Sequence, residues 1–191
     1  MKHATVLIAT VLIFLFAGSV SAVDAQTAYS HLVVIVGAAG DDVYQEVFHN
    51  WAIELIDAAT NKLSLSPDQI TYLGERPDLS PQRIAARSSR ENIEKTIARL
   101  GKETGPDDQI FFVLIGHGTG AGEQSRFNIP GRDITALEYD GMLSVLATQE
   151  IGFVNTASAS GDFARVLSGL NRVIVTAVSY THLTLPTNRE V

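Results

Sequence analysis

The residues of this chain best suited to chemistry are His117, set between Gly116 and Gly118, and Ser158, about forty residues later in Ala157-Ser158-Ala159-Ser160-Gly161. An imidazole is the usual general base near neutral pH, and a hydroxyl within its hydrogen-bond reach becomes a nucleophile. Glycine beside the base lets backbone N–H groups approach a ligand. The N–H of Gly118 is therefore a candidate oxyanion donor, with that of Ser158 as a second. Each residue also has a purely structural reading. His117 can be a turn residue in a Gly-rich loop, and a serine just before a helix is most often its N-cap. Position separates the serines: Ser160 adjoins Gly161 and the apolar series from Phe163 and suits a cap, whereas Ser158 falls about two residues too early.

Both residues follow runs that read as buried strands. Ile110 to Ile115 is an unbroken apolar run, the pattern of a strand covered on both faces in a parallel sheet. Ile151 to Asn155 is another, and His31 to Val36, Gln69 to Leu73 and Arg172 to Ala177 complete the set. Between them lie helical patterns. Val43, Val47, Trp51 and Leu55 recur at four-residue steps, with Phe48 and Ile56 beside them, and predict one apolar face. Ser88-x-x-Glu91 reads as a capping box ahead of Ile93, Ile97 and Leu100. Asp140 to Ala147 and the series Phe163, Val166, Leu167, Leu170 give two more helices, while Gly74 to Arg87 reads as a surface loop and Phe127 to Ile134 as a small hairpin outside the main sheet. Alternating strands and helices predict an α/β fold, a mostly parallel sheet with helices on both faces. In such sheets the working cleft lies beyond the carboxyl ends of the strands, where His117 and Ser158 fall.

Composition narrows the functional classes. The 191 residues fit one domain, and a net charge of −7 argues against nucleic acid or an anionic membrane as partner. The chain has no cysteine, which removes disulfides, thiolate metal sites and any cysteine nucleophile. A short basic start, an apolar block from Ala4 to Gly18 and small residues thereafter read as a secretory signal peptide in residues 1–25, cleaved after Ala22 or Ala25. The mature protein is then expected to be secreted or periplasmic in a bacterium, with no membrane attachment after cleavage. Residues 178–191 lack the helical pattern this series calls for and resemble translated adaptor sequence on unrelated chains. They are expected to be a non-native tail on a C-terminally truncated domain of residues 31–177.

A buried strand ending in His117-Gly118-Thr119-Gly120, then a strand ending in Ala157-Ser158-Ala159-Ser160-Gly161, resembles the caspase/legumain superfamily of cysteine peptidases, the legumain-like (C13) branch above all. Val34-Ile35-Val36-Gly37 with Gly40, and Leu65 to Ile70 leading into the second strand, carry the resemblance further. It implies a caspase-like three-layer αβα sandwich and peptide-bond hydrolysis by a Cys–His dyad, with His117 at the catalytic histidine, Gly118 at the oxyanion glycine and Ser158 at the cysteine. The chain departs from that pattern elsewhere too. The asparagine that accompanies the legumain dyad falls at Ala39, the basic pair at the substrate's first side chain near Gln45 and Glu46, and the acidic residue after the nucleophile at Ala159. Asparaginyl specificity is not implied.

The sequence leaves three functions open. One is a secreted pseudopeptidase that binds a peptide or protein in the old cleft. The second is a hydrolase working through Ser158 and His117. The third is an α/β-hydrolase-type esterase, which the missing Gly-x-Ser-x-Gly elbow disfavours. A dinucleotide site at Gly37-Ala38-Ala39-Gly40 lacks the glycine spacing, and Asp41-Asp42 repels phosphate. Asp41-Asp42 and Asp107-Asp108 read as turn or cap residues, without histidine at ligand spacing, so neither metal nor cofactor is expected. Nothing in the sequence sets the oligomeric state.

Overall fold

The computed structural model describes residues 29–120 and 124–177; the expected signal peptide and the suspected tail lie outside these residues. The chain folds as α/β, with a six-stranded, all-parallel sheet in the order β3-β2-β1-β4-β8-β9. The strands are β1 (Ser30–Val36), β2 (Ile70–Gly74), β3 (Ala86–Arg87), β4 (Gln109–Ile115), β8 (Glu150–Asn155) and β9 (Arg172–Thr176). A second sheet of two-residue antiparallel strands, β5 (Gly118–Thr119), β6 (Arg126–Phe127) and β7 (Ile134–Thr135), stands just beyond the end of β4.

Four helices cover the main sheet among the described residues: α1 (Asp42–Leu63), α2 (Arg90–Glu103), α3 (Ala136–Leu143) and α4 (Gly161–Leu167). Side chains alternate across each strand, so the two faces carry separate cores. On one face Val33, Ile35, Ile110, Phe112, Leu114, Ile151 and Phe153 pack against α2, α3 and α4. On the other, Leu32, Val34, Val36 and Tyr72 pack against α1 alone. That asymmetry follows from right-handed crossovers: β1 to β2, through α1, and β2 to β3 step one way along the sheet, and the later crossovers, which carry α2, α3 and α4, step the other way. Among the described residues, no helix covers the α1 face beyond β4. Phe111 is 43% exposed, Val173 69% and Val175 52%, and they line an apolar groove of about 630 Å³.

Several local expectations are corrected. The buried stripe of α1 is Phe48, Ala52, Ile56 and Ala59, not Val43, Val47, Trp51 and Leu55; Val43 and Trp51 are largely exposed. A four-residue step fits either stripe, and the sheet takes the one whose alanines allow close approach. The N-cap of α2 is Ser89, whose hydroxyl accepts from the Asn92 N–H at 3.4 Å. Ser88 is spent one residue earlier, its N–H donating to the Gly74 carbonyl at 2.8 Å as β3 ends. Gly74 to Arg87 is not only loop, since Ala86 and Arg87 pair with the end of β2. Helix α3 starts earlier than the apolar spacing indicated, at a Thr135–Glu138 capping box, and ends in a tighter turn at Ser144–Leu146. The hairpin does form, with Phe127 opposite Ile134.

Candidate functional site

Strands β1, β4 and β8 end side by side, and their glycines set how closely. A Cβ on Gly37 would lie 2.3 Å from the Asn128 carbonyl oxygen, and one on Gly116 would lie 3.3 Å from the Gly37 backbone. Asn128 locks this junction. Its N–H donates to the His117 carbonyl at 3.0 Å, its carbonyl accepts from the Ala38 N–H at 2.9 Å, and its side-chain oxygen accepts from the Thr119 hydroxyl at 3.0 Å. The sequence reading did not single out Asn128. Its position in Asn-Ile-Pro-Gly signals a turn, but its link to His117 is a tertiary contact.

The Asn128–His117 bond also orients Gly118. Hydrogen-bonded and non-bonded pairs alternate along an antiparallel ladder. With Asn128 opposite His117 bonded, the next pair, Gly118 and Phe127, turns its backbone groups outward. Those of Gly118 face the Ser158 loop, whose hydroxyl reaches the Gly118 carbonyl. A Cβ on Gly118 would lie 2.2 Å from the Ser158 carbonyl oxygen and 3.2 Å from the Ala157 Cβ. The structure thus brings His117, Gly118 and Ser158 into one junction at the carboxyl ends of β4 and β8, with the Gly118 N–H on the side of the serine.

The loop carrying Ser158 is built tightly. Thr156 reaches back to the Leu114 carbonyl with its N–H at 3.0 Å and its hydroxyl at 2.8 Å. Buried Asn155 accepts from the Ala157 N–H at 3.1 Å. Ala159 sits in the left-handed region at φ 56°, a conformation that costs a non-glycine residue about 1–2 kcal/mol. The turn leaves Ser158 exposed. Ser160 takes the N-cap position of α4, but its hydroxyl makes no cap bond, contrary to the sequence reading. Fully buried, it lies 3.3 Å from the carbonyl oxygens of Asn155 and Ala177 and accepts from the Ala177 N–H at 3.1 Å, tying the ends of β8 and β9 together.

What the junction does not contain is a joined dyad. The Ser158 hydroxyl donates to the Gly118 carbonyl at 3.5 Å. The imidazole of His117 packs instead against α1, with ring centroids 4.8 Å from Tyr44 and 5.1 Å from Phe48, both edge-on. No side-chain hydrogen bond of His117 is formed among the described residues. Ala39 is buried, and its N–H donates to the Glu75 carboxylate at 3.1 Å. Gln45 also reaches Glu75, at 3.4 Å, and receives Arg76 at 3.4 Å. Arg76, two residues beyond β2, is ion-paired with Asp78.

The acidic pairs act as turn and cap groups. Asp41 caps α1, accepting from the Tyr44 N–H at 2.9 Å. Asp108 is buried and accepts from the N–H groups of Tyr29 and Gly105, each at 2.8 Å. Among the described residues, no three His, Asp or Glu side chains converge as a metal-binding group, and none of the helices is long and apolar enough to cross a membrane. The most strongly held carboxylate lies away from the junction. Burial opposes ionisation of Glu138, but the Thr135 N–H, Arg90, the Thr135 hydroxyl and Arg132 outweigh it and hold the pKa at about 2. Comparison with known proteins finds no family model and no curated protein that matches this chain.

Proposed function

We propose that this chain is a secreted relative of the caspase/legumain peptidases, catalytically silent, that binds a peptide or protein segment in the cleft beyond β1, β4 and β8. The observation that carries the reading is the direction of the Ser158 hydroxyl, which donates to the Gly118 carbonyl and not to the imidazole. A serine is a poor nucleophile until a base takes its proton, and here the base makes no bond to it. A thiol, partly ionised near neutrality, depends on that bond less, and the chain has none. The parallel sheet, with helices on both faces and the matched residues clustered at one edge, supports the superfamily reading without singling it out.

The test is turnover and its restoration. The natural protein is expected to hydrolyse neither peptides nor esters, and Ser158→Cys is expected to gain peptidase activity that disappears again in the double variant with His117→Ala. Turnover by the natural protein that is lost on His117→Ala would overturn the proposal.

A second reading, a hydrolase using Ser158 and His117, is favoured by one observation: the strained φ of Ala159 beside an exposed serine. Strain of this kind gathers at functional turns. A fluorophosphonate probe decides it, since labelling that is abolished in Ser158→Ala would establish an activated hydroxyl.

A further inference from the structure

We infer that Tyr44 and Phe48 are positioning residues for His117, holding its imidazole in one orientation at the mouth of the cleft. The inference rests on the cleft reading above, because it asks what orients the histidine if that cleft is used. An imidazole base ordinarily has a third group, an amide, a carboxylate or a carbonyl, bonded to its second nitrogen. Among the described residues His117 has no such bond, and Ala39 offers no polar side chain. What it has is rings.

The two aromatic residues are one turn apart on α1, so their side chains lie on one stripe of the helix. Their centroids are 5.6 Å from each other, and the imidazole meets both, at interplanar angles of 80° to Tyr44 and 68° to Phe48. Edge-to-face contact at these separations is the preferred geometry of aromatic pairs. Two such contacts from different directions restrict rotation about both side-chain bonds of the histidine, as one contact would not. The clamp is itself fixed: Phe48 is buried against the sheet, and the Asp41 carboxylate caps the first turn of α1 by accepting from the Tyr44 N–H. Tyr44 stays nearly half exposed, so one jaw of the clamp is open to solvent.

The role belongs to the Tyr44 ring and not to its hydroxyl. Tyr44→Phe should therefore preserve the clamp, and Tyr44→Leu should open it. Because Tyr44 is partly exposed, neither change threatens folding; Phe48→Leu keeps an apolar side chain in the core and serves as the second variant. The direct readout is the carbon–proton NMR resonances of the His117 ring, assigned by their loss in His117→Asn. In the natural protein they are expected to be displaced by ring currents from random-coil positions. Tyr44→Phe should retain the displacement, while Tyr44→Leu and Phe48→Leu should each reduce it. Random-coil resonances in the natural protein, or an unchanged displacement in Tyr44→Leu, would overturn the inference whether or not the cleft binds anything.

The second readout uses Ser158→Cys. Where that variant turns over peptide, adding Tyr44→Leu should lower kcat by about ten- to a hundredfold with KM little changed, as expected for a displaced base. An unchanged kcat would refute the positioning role. If Ser158→Cys is inert, the cleft reading fails, and the resonances alone decide the clamp.

Discussion

Placing a methyl group on Gly118 tests whether the β4 and β8 loops meet as described. The added Cβ would lie 2.2 Å from the Ser158 carbonyl oxygen, 3.1 Å from that of Arg126 and 3.2 Å from the Ala157 Cβ. The first is about 1 Å closer than such contacts normally run, and the other two leave little room to retreat. Ala157 is buried and Arg126 belongs to β6, so Gly118→Ala must push the Ser158 loop away from β5. Overpacking of this kind costs about 1–3 kcal/mol. For a domain near this size each kcal/mol moves Tm by about 2–4 °C, so a fall of roughly 2–12 °C is expected. Thermal unfolding followed by circular dichroism measures it. Gly141→Ala is the control: it lies in α3 with nothing within 4 Å of the added carbon. A glycine in a helix costs about 0.5–1 kcal/mol relative to alanine, so that variant should be slightly more stable. Equal Tm values for Gly118→Ala and the natural protein would mean that the two loops do not touch, and the candidate cleft would lose its geometric basis.

Four further outcomes are expected. Asp108→Ala leaves the N–H groups of Tyr29 and Gly105 without their buried acceptor and should cost about 2–4 kcal/mol in urea unfolding, taking about 1–2 kcal/mol for each charge-assisted bond. Phe153→Ala, beneath the Ser158 loop and in ring contact with Phe112, Tyr139 and Phe163, should cost about 3–5 kcal/mol. The depressed pKa of Glu138 makes its contribution complete above its unfolded value near 4.5 and loses it as pH falls toward about 2. Unfolding measured across that window should therefore show a shallower acid limb in Glu138→Gln than in the natural protein. On the bare sheet face, Val175→Lys should leave Tm within a degree or so, because exposed substitutions change stability by about 0.5 kcal/mol or less, while reducing binding of a fluorescent apolar dye. Dye binding unaffected by that change would show that Val175 is covered in solution.

The order of the strands and the faces of the helices were legible to different degrees, for physical reasons. Parallel strands tend to be continuous apolar runs, so β1, β4, β8 and β9 stood out in the sequence, although β9 is exposed on one face. Helix faces were harder. On α1 the large side chains at 43, 47, 51 and 55 outweighed Ala52 and Ala59 in any reading by hydrophobicity, yet the small residues are what the sheet packs against. Capping was misread in two places: Ser88 and Ser89 differ only in which one β3 uses first, and Ser160 was claimed by the residue that follows β9. The residues of the candidate site were legible as types at strand ends. Their mutual orientation was not, because it depends on contacts that Asn128, Thr156 and α1 make across the fold, which no local pattern encodes.

That difference decides how the site is to be understood. The close approach of Gly37, Gly116 and Gly118 is a property of the backbone, and it gives the cleft its shape whatever side chain stands at position 158. The chemistry depends on one rotatable hydroxyl and one imidazole. In this structure each is satisfied elsewhere, the hydroxyl by the Gly118 carbonyl and the imidazole by the rings of α1. A ligand bound in the cleft, as proposed, would meet Gly118 and the exposed side of Tyr44. A substrate demanding proton transfer would first have to break the Ser158–Gly118 contact and turn the hydroxyl toward His117. Under the proposed reading, binding asks for no change at this junction, whereas catalysis asks for a different side chain at position 158.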